Sequence, residues 1–314
     1  MKKRVLIFVS LIVGFAVQAQ KKVQIKKAEV LRIETELASD KLMGRGMFSP
    51  GIDSASAFIE KEFKKTGLQF YGNLKNYRQE FTIKGMPANN VVGILPGKSK
   101  PDEYVVFSGH YDHLGVEKSG VGTDVIYNGA NDDASGITAV ISLAKYFKEL
   151  NNNERTIVFV AFTAEEIGGQ GAKFFSENIN PDKVVAMFNI EMIGTESKWN
   201  KDSAYITGFE KSDFGKILQK NLTGSKFKFY PDPYPEQHLY YRSDNATLAM
   251  LGVPAHTIST SKMDDEPNYH KVSDEVSTLD IDNMTEIIKA IAISSESIIK
   301  GIDTPTRVAK MRRN

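Results

Sequence analysis

Thr156-Ile157-Val158-Phe159-Val160-Ala161-Phe162 is an apolar run of strand length, and Thr163-Ala164-Glu165-Glu166 follows it without a break. The same arrangement recurs around it: Tyr104 to Ser108 runs into Gly109-His110-Tyr111-Asp112, and Val184 to Ile190 runs into Glu191. Val91 to Leu95, Ala204 to Thr207 and Pro254 to Ile258 also read as strands. Longer amphipathic stretches lie between them and predict helices over Ser135–Leu150, Gly171–Asn178, Asp213–Leu222, Ser243–Leu251 and Asp282–Ile299. Two more helices are expected ahead of the strands, over Lys27–Ala38 and Asp53–Thr66, the second with Ile52, Ala55, Phe58, Ile59 and Phe63 spaced for one apolar face. Ser39 to Gly51 reads as a loop, and Phe70 to Gly85 as an irregular or β connection. Strands alternating with helices predict an α/β, three-layer sandwich in which a central, mainly parallel or mixed sheet is flanked by helices.

The chain of 314 residues, 41% hydrophobic, can bury a large core as one domain. Its 40 basic and 39 acidic side chains are mixed along the sequence, so no field gathers nucleic acid or an anionic membrane, and no nucleic-acid partner is expected. Without cysteine there is no disulfide, thiolate ligand, thiol nucleophile or lipidated Cys. Lys2, Lys3 and Arg4 precede an apolar run from Val5 to Val17, followed by Gln18-Ala19. That run is shorter than the ~20 residues needed to span a bilayer and predicts a secretory signal peptide over 1–19. The protein is therefore expected to be exported, periplasmic or released, with no stable membrane insertion after leader removal. The folded domain is expected over 20–302 and a basic tail over 303–314, of which Arg307 to Asn314 reads as solvated and frayed.

Ligands of open α/β sheets bind beyond the carboxyl ends of the strands. At those ends this chain places His110, Asp112, Glu165, Glu166 and Glu191, and two further loops carry Asn128 to Gly136 and Asn268 to Asp274. Singly, each is ordinary: a strand-end His, an Asp capping a helix, a pair of surface glutamates. Together they would converge on one rim, where the carboxylates repel one another unless cations are present. Ser135 forms no serine-hydrolase elbow, because Asp133 rather than Gly stands two positions before it.

In order and context, His110-x-Asp112, Gly129-Ala130-Asn131-Asp132-Asp133-Ala134-Ser135-Gly136, Ala164-Glu165-Glu166, Asn189-Ile190-Glu191-Met192 and Tyr269-His270 resemble the five motifs of the co-catalytic zinc aminopeptidase family. That family also includes glutamate carboxypeptidases and the related glutaminyl cyclases. The similarity runs from about Ala38 to the last helix and includes Ala38-Ser39-Asp40-Lys41-Leu42-Met43-Gly44-Arg45. The resemblance implies a zinc exopeptidase fold, two Zn²⁺ ions per chain, and cleavage of N-terminal peptide bonds in peptide substrates. It assigns His110 and Glu191 to one zinc, Glu166 and His270 to the other, and Asp132 to both. Glu165 becomes the general base for a metal-bridging water. Asp112 is implied to orient the His110 imidazole through its other ring nitrogen, Tyr240 to donate a hydrogen bond to the oxyanion, and the Asp132–Asp133 peptide to be cis. Glu191 departs from the family pattern, which usually has the shorter Asp.

The remaining candidates receive plain readings: His113 as a loop neighbour, His256 as a strand residue, His238 at the rim, Trp199 alone. Arg242 is expected in a structural ion pair, with contact to a substrate carboxylate as the alternative. Two rival functions stand beside the exopeptidase. A glutaminyl cyclase would use a single zinc and commonly carries Trp beside the final His, where this chain has Tyr269. A non-catalytic binding module would have lost ligands or base, whereas Glu165 and all five ligand positions here keep a competent residue type.

Overall fold

The structure, a computed structural model, describes residues 23–117, 119, 122 and 124–311, so the leader expected over 1–19 lies outside the described residues. Helices α1 (Lys27–Leu37) and α2 (Pro50–Thr66) come first. α2 starts ahead of the position its apolar spacing suggests because Ser49 accepts hydrogen bonds from the Gly51 and Ile52 amides and Pro50 suits a first helical turn. Strands β1 (Gln69–Phe70), β2 (Arg78–Ile83), β3 (Met86–Leu95) and β4 (Lys100–His110) follow, then the small pair β5 (Gly115–Val116) and β6 (Ile126–Tyr127). The rest alternates: α3 (Ser135–Leu150), β7 (Arg155–Phe162), α4 (Gln170–Glu177), β8 (Val184–Ile190), β9 (Ser203–Ile206), α5 (Phe214–Asn221), β10 (Lys228–Pro231), α6 (Asn245–Met250), β11 (Ala255–Ser259) and α7 (Ile281–Ile299).

One mixed sheet runs in the order β1-β3-β7-β4-β8-β11-β9-β10, with β2 paired to β3. Its middle is parallel: β4 lies between β7 and β8, and β11 continues beside β8 in the same sense. All eight residues of β7 are buried, as a central parallel strand covered on both faces requires. Alternation sorts its side chains into two cores. Phe107, Phe159 and Phe188 pack with Phe147 of α3 on one face, while Val106, Val158 and Met187 meet Phe175 of α4 and Leu248 of α6 on the other. The expected three layers are thus present.

The expected tail, where it is described, up to Met311, is docked and not frayed. Arg307 Nη1 donates to the Val184 carbonyl at 2.7 Å, the Thr306 amide donates to Asp213 Oδ1 at 2.7 Å, and Val308 is buried. Charge composition alone hid this docking, because each charged side chain in those contacts, Arg307 and Asp213, meets a backbone group and not an opposite charge.

The amino end of α3 is driven against the ends of β4 and β8. A Cβ at Gly136 would lie 2.2 Å from the Ile190 carbonyl oxygen and 2.4 Å from Asp133 Oδ2, and one at Gly109 would lie 2.8 Å from that same carboxylate oxygen. Gly136→Ala gains ~0.5–1 kcal/mol of helix propensity but must displace backbone, which typically costs ~1–3 kcal/mol. Urea denaturation is expected to show a lower midpoint with an unchanged slope; a raised midpoint would mean that the loop yields freely.

Candidate metal centre

Three adjacent parallel strands end together. His110 is the last residue of β4 and pairs in register with Phe162, the last of β7, while Ser108 pairs with Asn189 of β8. Glu165 and Glu166 therefore lie just past β7 and Glu191 just past β8, on either side of His110. The loop entering α3 brings Asp132, and the loop between β11 and α7 brings His270. Three residues on these turns adopt left-handed backbone although none is glycine: Ala164 (φ 61°), Met192 (φ 53°) and His270 (φ 56°). The Asp132–Asp133 peptide is cis.

Buried carboxylates hold this backbone in place. Asp112 accepts from the amides of Glu165 (3.1 Å) and Glu166 (3.2 Å). Asp133 accepts from His110 (3.1 Å), Gly136 (3.0 Å) and Met192 (3.1 Å). Asp274 accepts from Asn131 (2.8 Å) and Asp132 (3.0 Å). Beneath them Arg45, 1% exposed, donates to the carbonyls of Tyr111, Leu37, Asn128, Gly129 and Asp132. Asp112 also meets the other ring nitrogen of His110, but chiefly with its backbone. Its carboxylate stands 3.8 Å from His110 Nδ1, and the contact that orients the imidazole is to its carbonyl oxygen at 3.1 Å.

The donor atoms converge on Asp132. Its Oδ1 is 3.2 Å from His110 Nε2 and its Oδ2 is 3.2 Å from His270 Nε2. Glu166 Oε2 is also 3.2 Å from His270 Nε2. His110 Nε2 is buried and makes no well-formed hydrogen bond among the described residues, as an atom aimed at a cation would. Glu191 takes a hydrogen bond from the Ser243 hydroxyl, which in turn accepts from Asn189 Nδ2 at 2.6 Å. Oxygen and imidazole nitrogen in this pattern suit a divalent cation of intermediate softness.

Proton affinities are spread accordingly. Burial, with Glu191, Asp244 and Asp112 adding to it and His110 opposing, pushes the Glu165 carboxyl up to about 10. Burial also acts on Glu166, but hydrogen bonds from His113 and His270 overcome it and hold that carboxyl down at about 2. Hydrogen bonds to Asp132 and Glu166 raise His270 to about 10. Asp244, buried with neither oxygen hydrogen-bonded among the described residues, is pushed up to about 8 by burial, with Glu191 and Asp112 adding to the shift against His110. Nothing in the sequence singled out Asp244. Asp274 was visible only as the end of a motif-bearing loop, and Arg45 only as the end of a recognisable stretch.

Three further expectations, those for Tyr240, His113 and Arg242, are corrected. Tyr240 packs into the core, against Gly208 and 5.5 Å between centroids from His256, and its buried hydroxyl finds no partner among the described residues. It sits in the 3₁₀ turn Leu239–Tyr241, where positions i and i+3 share a face. Leu239 and Arg242 therefore line the recess, and the phenols that do so are those of Tyr205 and Tyr269. His113 is more than a loop neighbour: it is 2% exposed and its Nδ1 lies 2.8 Å from Glu166 Oε1. His256 is structural, with Nδ1 2.8 Å from the Thr207 carbonyl and Nε2 2.8 Å from Ser212 Oγ. His238 is exposed, and Trp199 stacks on Tyr230 at 4.1 Å. Arg242 contacts Gln237 and forms no ion pair among the described residues.

Asp132, Glu165, Glu191 and His270 line a recess of 70 Å³, beside a cleft of 1130 Å³; Glu165, Arg242 and Ser243 form the wall common to both. Solved structures share this architecture. BSAP, a zinc aminopeptidase from Bacillus subtilis, superposes with a TM-score of 0.71 at 13% identity, over 89% of this chain and 97% of its own. The glutaminyl cyclase of Porphyromonas gingivalis gives 0.69 at 14% identity, over 87% and 99%. At such identities the likeness is one of fold. In sequence, a probable zinc metalloprotease of Pyricularia oryzae is 32% identical over 168 residues, which are 48% of this chain and 32% of that protein. The match spans between 22% and 35% of the length of such curated relatives. The model of peptidase family M28 matches residues 90–294, a span that takes in β4, β7 and β8 and every side chain gathered around Asp132. On that match the chain belongs to peptidase family M28.

Proposed function

We propose that the protein is a zinc-dependent exopeptidase of the aminopeptidase kind, acting on N-terminal peptide bonds with two zinc ions. The observation that carries this reading is Asp132, whose two oxygens each face a different imidazole at 3.2 Å. A carboxylate presented in this way can serve two cations at once. His110 and Glu191 complete one site, and Glu166 and His270 the other. Bound zinc supplies Lewis acidity toward the scissile carbonyl and acidifies water. The remaining work belongs to side chains. Glu165, on the wall between recess and cleft, takes the proton from the attacking water and returns it to the leaving amine. Ser243 holds Glu191 against the wall, which lets the longer side chain act from a position where Asp is usual. Tyr240 has no part in the reaction.

Separate failures are expected from the neighbouring glutamates. Glu165→Gln keeps its metal, because the ligands are untouched, but loses kcat by ~10²–10⁴-fold. Glu166→Gln releases metal. Metal analysis and kinetics on aminoacyl amides, dipeptidyl amides and N-terminal Gln peptides check both; a near wild-type rate for Glu165→Gln would remove the proposed base. Turnover of the Gln peptides alone, by cyclisation, would favour a cyclase.

A chelator should abolish activity and added Zn²⁺ restore it. Titration of the metal-free protein is expected to give two sequential binding events, the weaker at the site containing Glu191, with the rate rising at the second. Asp132→Asn impairs both events, whereas His270→Ala chiefly removes one. Saturation of the rate at one equivalent, unaffected by Glu191→Ala, would reduce the centre to a single ion.

The basic, apolar and small-residue order of residues 1–19 supports export to the periplasm or beyond the cell. N-terminal sequencing of the mature protein is expected to begin at Gln20; an intact Met1 in the exported fraction would mean an uncleaved anchor.

A further inference from the structure

His113 follows β4 by three residues and is fixed on several sides. Its backbone amide donates to the Arg45 carbonyl at 3.2 Å. Its ring rests against Gly129, where a Cβ would come within 2.5 Å of His113 Cδ2, and meets the His270 ring nearly edge-on with centroids 5.8 Å apart. The ring so held presents Nδ1 to Glu166 Oε1 at 2.8 Å, while Asp132 Oδ2 stands farther off at 3.8 Å. The other Glu166 oxygen, Oε2, faces His270 Nε2.

An imidazole in this place can ligate a cation or steady a ligand, and its second nitrogen separates the two roles. Were Nδ1 a ligand, the ring proton would sit on Nε2, which is buried with no hydrogen-bond partner among the described residues. Ligating imidazoles almost always donate their other N–H. His110 obeys that rule: its Nδ1 meets the Asp112 carbonyl, and Nε2 is left for the Asp132 side. His113 cannot obey it. With the proton on Nδ1, the ring donates to Glu166 and only a lone pair is left without a partner, which is easier to bury than an orphaned N–H.

We infer that His113 is a positioning residue for the cation site formed by Asp132, Glu166 and His270: its Nδ1–H holds Glu166 Oε1 and commits that carboxylate to the cation through Oε2 alone. The inference rests on the metallohydrolase reading above. It assigns the chain a device for sparing one coordination position, since a carboxylate free to turn could take a cation with both oxygens.

The test uses the full mature chain loaded with Co²⁺, read by competitive metal titration and by the paramagnetically shifted imidazole proton signals. His113→Leu is expected to weaken one of the two cation sites by ~10–100-fold without losing any shifted imidazole signal. His113→Asn places an amide N–H where Nδ1–H stood and should recover most of the affinity. His113→Gln, whose amide reaches the Nε2 position instead, should not. Unchanged affinity in His113→Leu and His113→Gln overturns the inference, as does loss of a shifted imidazole signal, which would make His113 a ligand. In both of those results the wild-type chain binds two ions and the exopeptidase reading survives. A wild-type chain that binds no Co²⁺ would bring down both.

Discussion

Seven carboxylates, those of Asp112, Asp132, Asp133, Glu165, Glu166, Glu191 and Asp244, gather with three imidazoles where β7, β4 and β8 end, and their mutual repulsion is the constraint to which the surrounding structure answers. Like charges in a buried site must be paired, hydrogen-bonded or protonated. The chain does all three, and which remedy a residue receives follows its place. Asp112 and Asp133, behind the recess, accept backbone amides. Asp132, which lines the recess, and Glu166 beside it meet imidazoles, and Glu191, also in the lining, meets a hydroxyl. Glu165 and Asp244 have neither remedy, and burial raises their proton affinity, as it also does that of Asp112, Asp133 and Glu191 despite the hydrogen bonds those accept. A pair of cations would relieve the groups facing the recess most, because those groups have no backbone amides to rely on.

The amides accepted by the rear carboxylates are not arbitrary ones. Together with Asp274, those carboxylates accept from His110, Asp132, Glu165 and Glu166, from Met192 beside Glu191, and from Asn131 and Gly136 on the loop that carries Asp132. The Glu191 amide itself goes to the Ile258 carbonyl, and His270, which comes from a separate loop with its side chain 36% exposed, has no such clamp among the described residues. Left-handed backbone at Ala164 and Met192 carries a cost of order 1–3 kcal/mol each, and the clamps from Asp112 and Asp133 adjoin both positions. Arg45 ties the remaining side by joining the carbonyls of five residues from three separate stretches, which no neutral side chain could do with one planar fork of donors.

Much of this architecture was legible in the sequence because strand and helix periods survive burial. Val184–Ile190 and Ser135–Leu150 have the bounds their apolar patterns predict. The β2–β3 hairpin was less visible, because β2 alternates apolar and polar residues only partly and lies at the edge of the sheet. The gathering of His110, Asp132, Glu166 and His270 could be anticipated from their positions beyond strand ends and from the family motifs. What periodicity cannot convey is the direction of a side chain in a non-repeating segment. Tyr240 and its neighbours lie in a three-residue turn, where a shift of one position carries a side chain from cavity to core. His113 and Asp244 lie on turns with no period at all. Asp112 shows the same limit within one residue: its importance was readable, but whether its carbonyl or its carboxylate met the imidazole depended on a loop the sequence does not trace.

The adjacent pair Glu165-Glu166 shows why those turns matter to the chemistry. In a continued strand the two side chains would point to opposite faces of the sheet, and one would be buried among Phe162, Phe175 and Leu248. Left-handed backbone at Ala164 ends the alternation before that happens. Asp112 then accepts both following amides, one on each oxygen, so neither peptide can turn without leaving a buried donor unpaired. Glu166 is thereby delivered to His113 and His270, and Glu165 to the wall shared by recess and cleft. Two chemically identical carboxyls come to differ from about 2 to about 10 in proton affinity. On the proposed reading the first holds a cation and the second carries a proton. The distinction resides in the backbone that Asp112 holds, and that makes a residue touching neither cavity nor imidazole nitrogen with its carboxylate the one on which the division of labour depends.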